Sequence, residues 1–243
     1  MDIDVISFWY NEGFLAPLFL DHYAYASNIH IILDNDTDDG TMDAIKAYDG
    51  PIRVSPFVFT DGMNTKLKQD AVNAAYHDCR GGWVLLVDAD EFVYKPDMGE
   101  ILRSEADAFF VQFYQVYRNK NDVDITYETP AWTQRLHGDP DITGNLNRLY
   151  RKPVLVRSGL DISWSPGCHS LSGRVQFDPY CMRGAHWAMA DPCFCVDRRL
   201  SRRKRQSAFN RAHGMGWHNW DVTREGLIAE CKSREGCPKV LPE

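Results

Sequence analysis

Short apolar runs alternate with amphipathic stretches through residues 1–107. Ile3 to Phe8, Ile29 to Leu33, Ile52 to Phe59 and Trp83 to Val87 predict strands. Between them, Phe14 to Ala26, Thr41 to Tyr48 and Lys66 to Cys79 place apolar residues at helical spacing, with Pro17 in a first turn, where proline is tolerated. Strands separated by helices of this length predict right-handed crossovers and a parallel sheet.

Past residue 107 the pattern loosens. Phe109 to Tyr117 alternates as a strand, residues 118–147 read as a long polar loop or insertion, and Leu149 to Arg157 and Gly173 to Phe177 read as short strands. Residues 196–212 read as a strongly basic helix. The expected class is α/β: a Rossmann-like, mixed but mainly parallel sheet flanked by helices, with a less regular C-terminal half. The expected organisation is one domain over 1–243, divided into halves at 1–107 and 108–243.

This topology gathers the loops that follow each strand on one edge of the sheet, where open α/β sheets bind ligands. Those loops carry Trp9, Asn11 and Glu12, then Asp34 and Asp36, then Asp61 and Asn64, then Asp88 and Asp90. Asp88-Ala89-Asp90-Glu91 stands directly behind the fourth run, and alternate residues of a strand share a face, so Asp88 and Asp90 are expected on one side. Paired hard oxygen ligands suit Mg²⁺ or Mn²⁺ bridging a diphosphate. An acidic edge repels phosphate unless a cation accompanies it. An isolated pair of this kind also serves as a simple turn cap, and that reading stays open.

Composition narrows the classes. The net charge of −7 argues against a chain built globally for nucleic acid. No apolar run reaches the length of about 18 residues that would predict a membrane span, and no charged-then-apolar leader opens the chain, so a cytoplasmic protein with reduced thiols is expected. Seven cysteines are present, but Cys193-x-Cys195 and Cys231-x₅-Cys237 lack the usual zinc spacing, so scattered thiols rank ahead of a zinc site. Arg198, Arg199, Arg202, Arg203, Lys204, Arg205 and Arg211 form a basic cluster in this acidic chain. At helical spacing Arg198, Arg202 and Arg205 share one face, and Arg199 and Arg203 share its neighbour. The cluster fits a solvated helix face, an element that closes on a diphosphate, or a surface that tracks nucleic-acid phosphates. Trp132, Trp164, Trp187, Trp217 and Trp220 are able to stack on a base or a sugar ring, or to fill a core.

Four segments carry a resemblance. Ser7-Phe8-Trp9-Tyr10-Asn11-Glu12, Leu33-Asp34-Asn35-Asp36-Thr37-Asp38-Asp39-Gly40-Thr41, Lys68-Gln69-x₃-Asn73 and Val87-Asp88-Ala89-Asp90-Glu91-Phe92 occur in that order. Together they resemble the family-2-like glycosyltransferases of the GT-A fold. The match thins beyond residue 110, where His186-Trp187 and the basic helix are similar to the family's tail.

The resemblance implies transfer of a sugar from a nucleotide-diphosphate donor, a UDP-sugar first, with Mn²⁺ or Mg²⁺. It implies Asp90 as principal metal ligand and Asp88 sharing the metal or holding the donor ribose. Asp34 would contact base or ribose, Asn11 or Glu12 would assist, Lys68 would approach the diphosphate, and Phe8 or Trp9 would line the base pocket. A late histidine reaching the metal is His169 or His186, with His186 favoured. An inverting reaction needs a base, for which Glu91, Glu128, Asp139, Asp141 and Asp161 stand open, with Glu91 beside the metal pair. A retaining reaction needs none in that role. A glycan or lipid-linked acceptor is expected. A hydroxymethylated pyrimidine in DNA, held through Arg198–Arg211, is the alternative. A nucleotidyltransferase ranks low because the first loop has one glycine, Gly13. A non-catalytic carbohydrate or nucleic-acid binding module remains the reading from another class.

Overall fold

A computed structural model of the chain describes residues 2–80, 82–139, 151–216 and 221–241. The elements run β1 (Ile3–Trp9), α1 (Ala16–His22), β2 (Asn28–Asp34), α2 (Thr41–Ala47), β3 (Ile52–Phe57), α3 (Thr65–Asp78), β4 (Trp83–Leu86) and β5 (Glu91–Val93). After these come β6 (Ala108–Tyr117), α4 (Ala131–Gln134), β7 (Arg151–Arg157), β8 (Ser163–Trp164), β9 (Leu171–Ser172) and β10 (Phe177–Met189). Three helices follow: α5 (Pro192–Lys204), α6 (Ala208–Ala212) and α7 (Arg224–Ser233). No helix among the described residues is long and apolar enough to cross a membrane.

Eight strands form one mixed sheet in the order β3-β2-β1-β4-β7-β6-β10-β5. β3, β2, β1 and β4 are mutually parallel, whereas β7 and β5 run against their neighbours. The expected α/β class, a mixed, mainly parallel Rossmann-like sheet flanked by helices, is the one observed. β1 is buried along almost its whole length, as a central strand covered on both faces must be. Its alternation feeds two cores: Ile3, Val5 and Trp9 pack with Leu15, Phe19 and Tyr23 around α1, and Ile6 and Phe8 pack with Val72, Ala75 and Tyr76 of α3. Asn64 starts α3 by accepting the Lys66 and Leu67 amides at 3.0 and 3.2 Å, and Asp191 starts α5 by accepting the Phe194 amide at 2.9 Å.

The sheet has to curl. β4 is fourth in the order and β5 eighth, yet Leu86 and Glu91 are joined by a short turn. Five residues reach at most about 18 Å even when fully extended. A flat sheet would separate those strands by about 19 Å. The far edge therefore bends back until β5 lies over the end of β4, and the Trp187 amide donates to the Asp90 carbonyl at 2.7 Å.

The C-terminal half departs from the expected pattern. The short strand expected at Gly173 to Phe177 is replaced by β10, which starts at Phe177 and continues to Met189. Its sequence carries Pro179 and Gly184 and has no clean alternation; the pairing slips between Phe177 and Cys181, around the proline. Gly184 is required by close approach, because a Cβ there would come within 2.5 Å of the Phe113 ring. The basic helix is two helices, α5 and α6, broken at 205–207. Leu149, expected to start a strand, lies outside the described residues.

His22 gives this fold a pH signature. Its buried Nε2 bonds the Val93 carbonyl at 2.8 Å, tying α1 to β5, and burial, reinforced by the charge of Lys95, lowers its pKa from 6.5 to about 3. The folded state holds it neutral while the unfolded chain protonates it, so its contribution is full above 6.5 and is lost as pH falls towards 3. Urea unfolding of wild type should lose stability more steeply than His22→Gln across that window, by up to about 1.4 kcal/mol per pH unit. Parallel pH dependences would show that His22 is not buried in this way.

Candidate active site

The chain winds from β1 through β2 to β3, then returns to the other side of β1 with β4. The crevice beyond the carboxyl ends of β1 and β4 is therefore the topological switch point, where ligands bind in sheets of this kind. Two loops there are latched together. Asn11, at a φ of 50°, donates from its amide to Asp38 Oδ1 at 2.7 Å and accepts the Asp38 N–H at 2.9 Å. Gly13 N–H donates to Asp39 Oδ2 at 2.9 Å, and Glu12 N–H donates to Thr41 Oγ1 at 2.8 Å. Asparagine tolerates the left-handed backbone this latch needs. The Asn11 side chain is thus committed to holding the Asp34–Thr41 turn.

Asp88 and Asp90 do not share a strand face, because β4 ends at Leu86 and both stand on the turn that follows. They turn to different partners. Asp88 accepts from Lys68 at 2.7 Å and from Lys152 at 3.0 Å. Lys152 also pairs with Glu91, whose second oxygen accepts the Asp88 N–H at 3.0 Å. Burial works to raise the Asp88 pKa, but Lys152 and Lys68 together hold it well below the usual carboxylate range. For Glu91 burial wins over Lys152, and its pKa is raised.

Asp90 faces α5. Its Oδ2 pairs with Arg198 and lies 3.4 Å from His186 Nε2 on β10. Arg198 also donates to Glu12 Oε1 at 2.8 Å, and Arg202 reaches the same oxygen at 3.3 Å. All three charges of the bridge are buried, with the Arg198 side chain 5% exposed. Burial opposes ionisation of Asp90, yet Arg198 and then His186 keep its pKa well below the usual range, whereas Glu12 is raised by burial despite Arg198 and Arg202. One turn later Arg205 donates to Asp34 at 2.8 Å and Asp36 at 2.7 Å and stacks 3.8 Å from the centre of the Tyr10 ring. Its carbonyl accepts the Met63 N–H at 2.6 Å, and Gly62 (φ 68°) leaves room where a Cβ would lie 2.5 Å from that carbonyl.

The structure therefore brings Glu12, Asp34, Asp88, Asp90, Lys68 and His186 to one edge and redistributes other expected roles. Phe8 lines the crevice, with Lys68 Nζ 5.7 Å from its ring centre. Trp9 does not, because strand alternation turns it into the opposite core, where its Nε1 donates to Ser7 at 2.8 Å. Glu91 is fully buried between Lys152 and a backbone amide, so it positions Asp88 and cannot meet an acceptor directly. His169 follows the Pro166–Cys168 turn, where burial and Lys152 lower its pKa while Asp88 works to raise it. Asp139 pairs with Arg234 at 2.9 Å, Glu128 and Asp161 are exposed, and Asp141 lies outside the described residues.

A solvated face for Arg198, Arg202 and Arg205 is overturned: this face is the one turned onto the carboxylates. On the neighbouring face Arg199 pairs with Glu230 and Arg203 donates to the Val222 carbonyl. Trp164 and Trp187 are core residues, and Trp217 and Trp220 lie outside the described residues. Lys152 went unforeseen. Its signal was present, since a lysine inside the strand run 149–157 must find a carboxylate if it is buried.

The residues present do not fit the expected Mn²⁺ or Mg²⁺. Among the described residues no three His, Cys, Asp or Glu side chains form a metal-ligand group. Asp88 is held by two ammonium groups, and the guanidinium of Arg198 stands between Glu12 and Asp90. All seven cysteines are free thiols. The cavity beside Phe8, Lys68 and Asp88, which Lys152 and Cys168 also line, measures about 10 Å³. That is room for one water at most, and a bound nucleotide sugar needs hundreds.

No protein-family model and no curated protein matches the sequence. Among solved structures, S. aureus TarS 1-349 in complex with UDP-GlcNAc is similar at 16% identity and a TM-score of 0.47, over 96% of this chain and 72% of that one. Against the longer S. aureus TarS structure, the chain spans 43% of that protein's length, at 14% identity and a TM-score of 0.44. Glucosyl-3-phosphoglycerate synthase from Mycobacterium tuberculosis, in complex with Mg²⁺ and UDP, is similar at 17% identity and 0.34, over 47% of this chain and 43% of that one. Likenesses at this level carry no argument about function, which has to come from the residues of this chain.

Lys152 tests the charged layer. Replacing it with methionine leaves Glu91 buried without its counter-charge, and loss of one partner of a buried pair costs about 3–5 kcal/mol. Lys152→Met should lose that much stability in urea unfolding, and adding Glu91→Gln should restore a large part of it. A loss below about 1 kcal/mol would place the pair in solvent.

Proposed function

We propose that the chain is a glycosyltransferase that moves a sugar from a nucleotide-diphosphate donor to an acceptor hydroxyl. The observation that supports it is the convergence of Glu12, Asp34, Asp88 and Asp90 with Lys68 and Arg198 at the switch point between β1 and β4. In this reading residues 1–107 hold the donor and 108–243 present the acceptor. Asp34, at the end of β2, serves base or ribose; Lys68 and the arginines of α5 serve the diphosphate. By the resemblance the donor is a UDP-sugar and the acceptor a glycan or lipid-linked precursor.

The anomeric C–O bond breaks with its electron pair left on the β-phosphate, the acceptor oxygen forms the new bond, and its proton passes to a base. Positive groups fixed near the leaving oxygen stabilise that charge where water is excluded. The resemblance would bring Mn²⁺ or Mg²⁺ to Asp90, but Arg198 already pairs with that carboxylate.

Arg198, Arg202 and Arg205 turn inward onto carboxylates, so the alternative DNA acceptor would rest on the exposed Arg203, Lys204 and Arg211. A binding module needs no such buried charged edge.

The test is thermal and urea stability of the purified chain against a panel of nucleotide sugars. A donor at 100 times its dissociation constant should add about 2.7 kcal/mol. No stabilisation by any nucleotide sugar, with or without divalent metal, would sink this reading.

A further inference from the structure

We infer that Arg198 takes the place of the divalent cation, so that the donor diphosphate binds this chain without metal. The inference rests on the glycosyltransferase reading above and assigns the charge that serves the leaving group.

Position comes first. The Arg198 guanidinium lies between Glu12 Oε1 and Asp90 Oδ2, and Asp90 is the carboxylate from which a metal centre would be built. An ion binding Asp90 Oδ2 would have to displace a side chain that is 5% exposed and held by both carboxylates. Lys68 and Lys152 occupy both oxygens of Asp88, and like charges at such range repel a dication.

Charge balance comes second. Lys68 and Lys152 meet Asp88 and Glu91, Arg198 and Arg202 meet Glu12 and Asp90, and Arg205 meets Asp34 and Asp36. Five fixed cations therefore stand along this edge, and a diphosphate meets positive groups there without an imported ion.

Spare hydrogen-bonding capacity comes third. Arg198 Nε is buried without a hydrogen-bond partner, and so is Glu12 Oε2. A forked guanidinium with a free N–H matches a phosphoryl oxygen, and Arg202 and Lys68 stand part-exposed at the same crevice. As the C–O bond breaks, Arg198 stays protonated and donates to the oxygen that takes the electron pair.

The experiment has two arms. The first titrates Mn²⁺ into the wild-type chain and follows the free ion by electron paramagnetic resonance; the ion signal should persist undiminished. The second measures binding of UDP and UDP-sugars by calorimetry in EDTA and in Mn²⁺; affinities should agree within about twofold. Arg198→Ala should weaken donor binding at least about tenfold, and Arg198→Lys should fall between. Circular dichroism checks that each variant is folded, and if Arg198→Ala is not, the lysine variant and the wild-type arms decide. Mn²⁺ bound by wild type, or donor bound only with Mn²⁺, overturns the inference and leaves the glycosyltransferase reading intact. Donor bound under neither condition overturns that reading and this inference with it.

Discussion

Three buried charges, Glu12, Asp90 and Arg198, meet across segments that are far apart in sequence, and the rest of the molecule is organised around that bridge. Removing such groups from water costs several kcal/mol for each ion, which is recovered only when every partner is in place. The loop after β1, the turn after β4 and the helix α5 therefore stand or fall together. Shape alone would not demand this: apolar packing tolerates small errors of register, whereas a carboxylate left alone in that layer is very unfavourable. The bridge thereby fixes where the C-terminal helices sit on the sheet.

The same layer bears on the polyanionic donor proposed for this acidic edge. Asp61 accepts the Ala208 N–H, but Glu12, Asp34, Asp36, Asp88 and Asp90 each have a basic partner supplied from elsewhere in the fold: Lys68 from α3, Lys152 from β7 and the arginines from α5 and its C-cap. Loops that look repulsive to phosphate when read one segment at a time are close to neutral when assembled.

The N-terminal fold was legible because its strands are continuous apolar runs and its helices have regular spacing; β1 to β4 and α1 to α3 lie close to where those patterns put them. The same pattern brought Asp34, Asp88 and Asp90 to one edge, and the family resemblance added Lys68. Alternation failed at the turn, where β4 stops at Leu86, two residues short of Asp88, and the carboxylates diverge. β10 was hidden because Pro179 and Gly184 read as breakers, while their neighbours Phe113 and β6 make them acceptable. Trp9 was misassigned because sequence distance from the crevice says nothing of which core an aromatic faces. The inward turn of Arg198 could not be read from helical spacing, which groups residues on a face but does not say what covers that face.

The curl of the sheet bears on how the chain acquires its chemistry. The Asp88–Asp90 turn is anchored on one side by β4 pairing with β1, a contact within the first third of the chain, and on the other by β10 pairing with β5. Contacts between segments so distant form late, because the intervening chain must be ordered before they contribute. During synthesis from the N-terminus, the carboxylates are made well before Lys152, His186 and Arg198 exist to receive them. A nascent chain thus carries these carboxylates in an unassembled form, and the buried bridge closes only once α5 has been made.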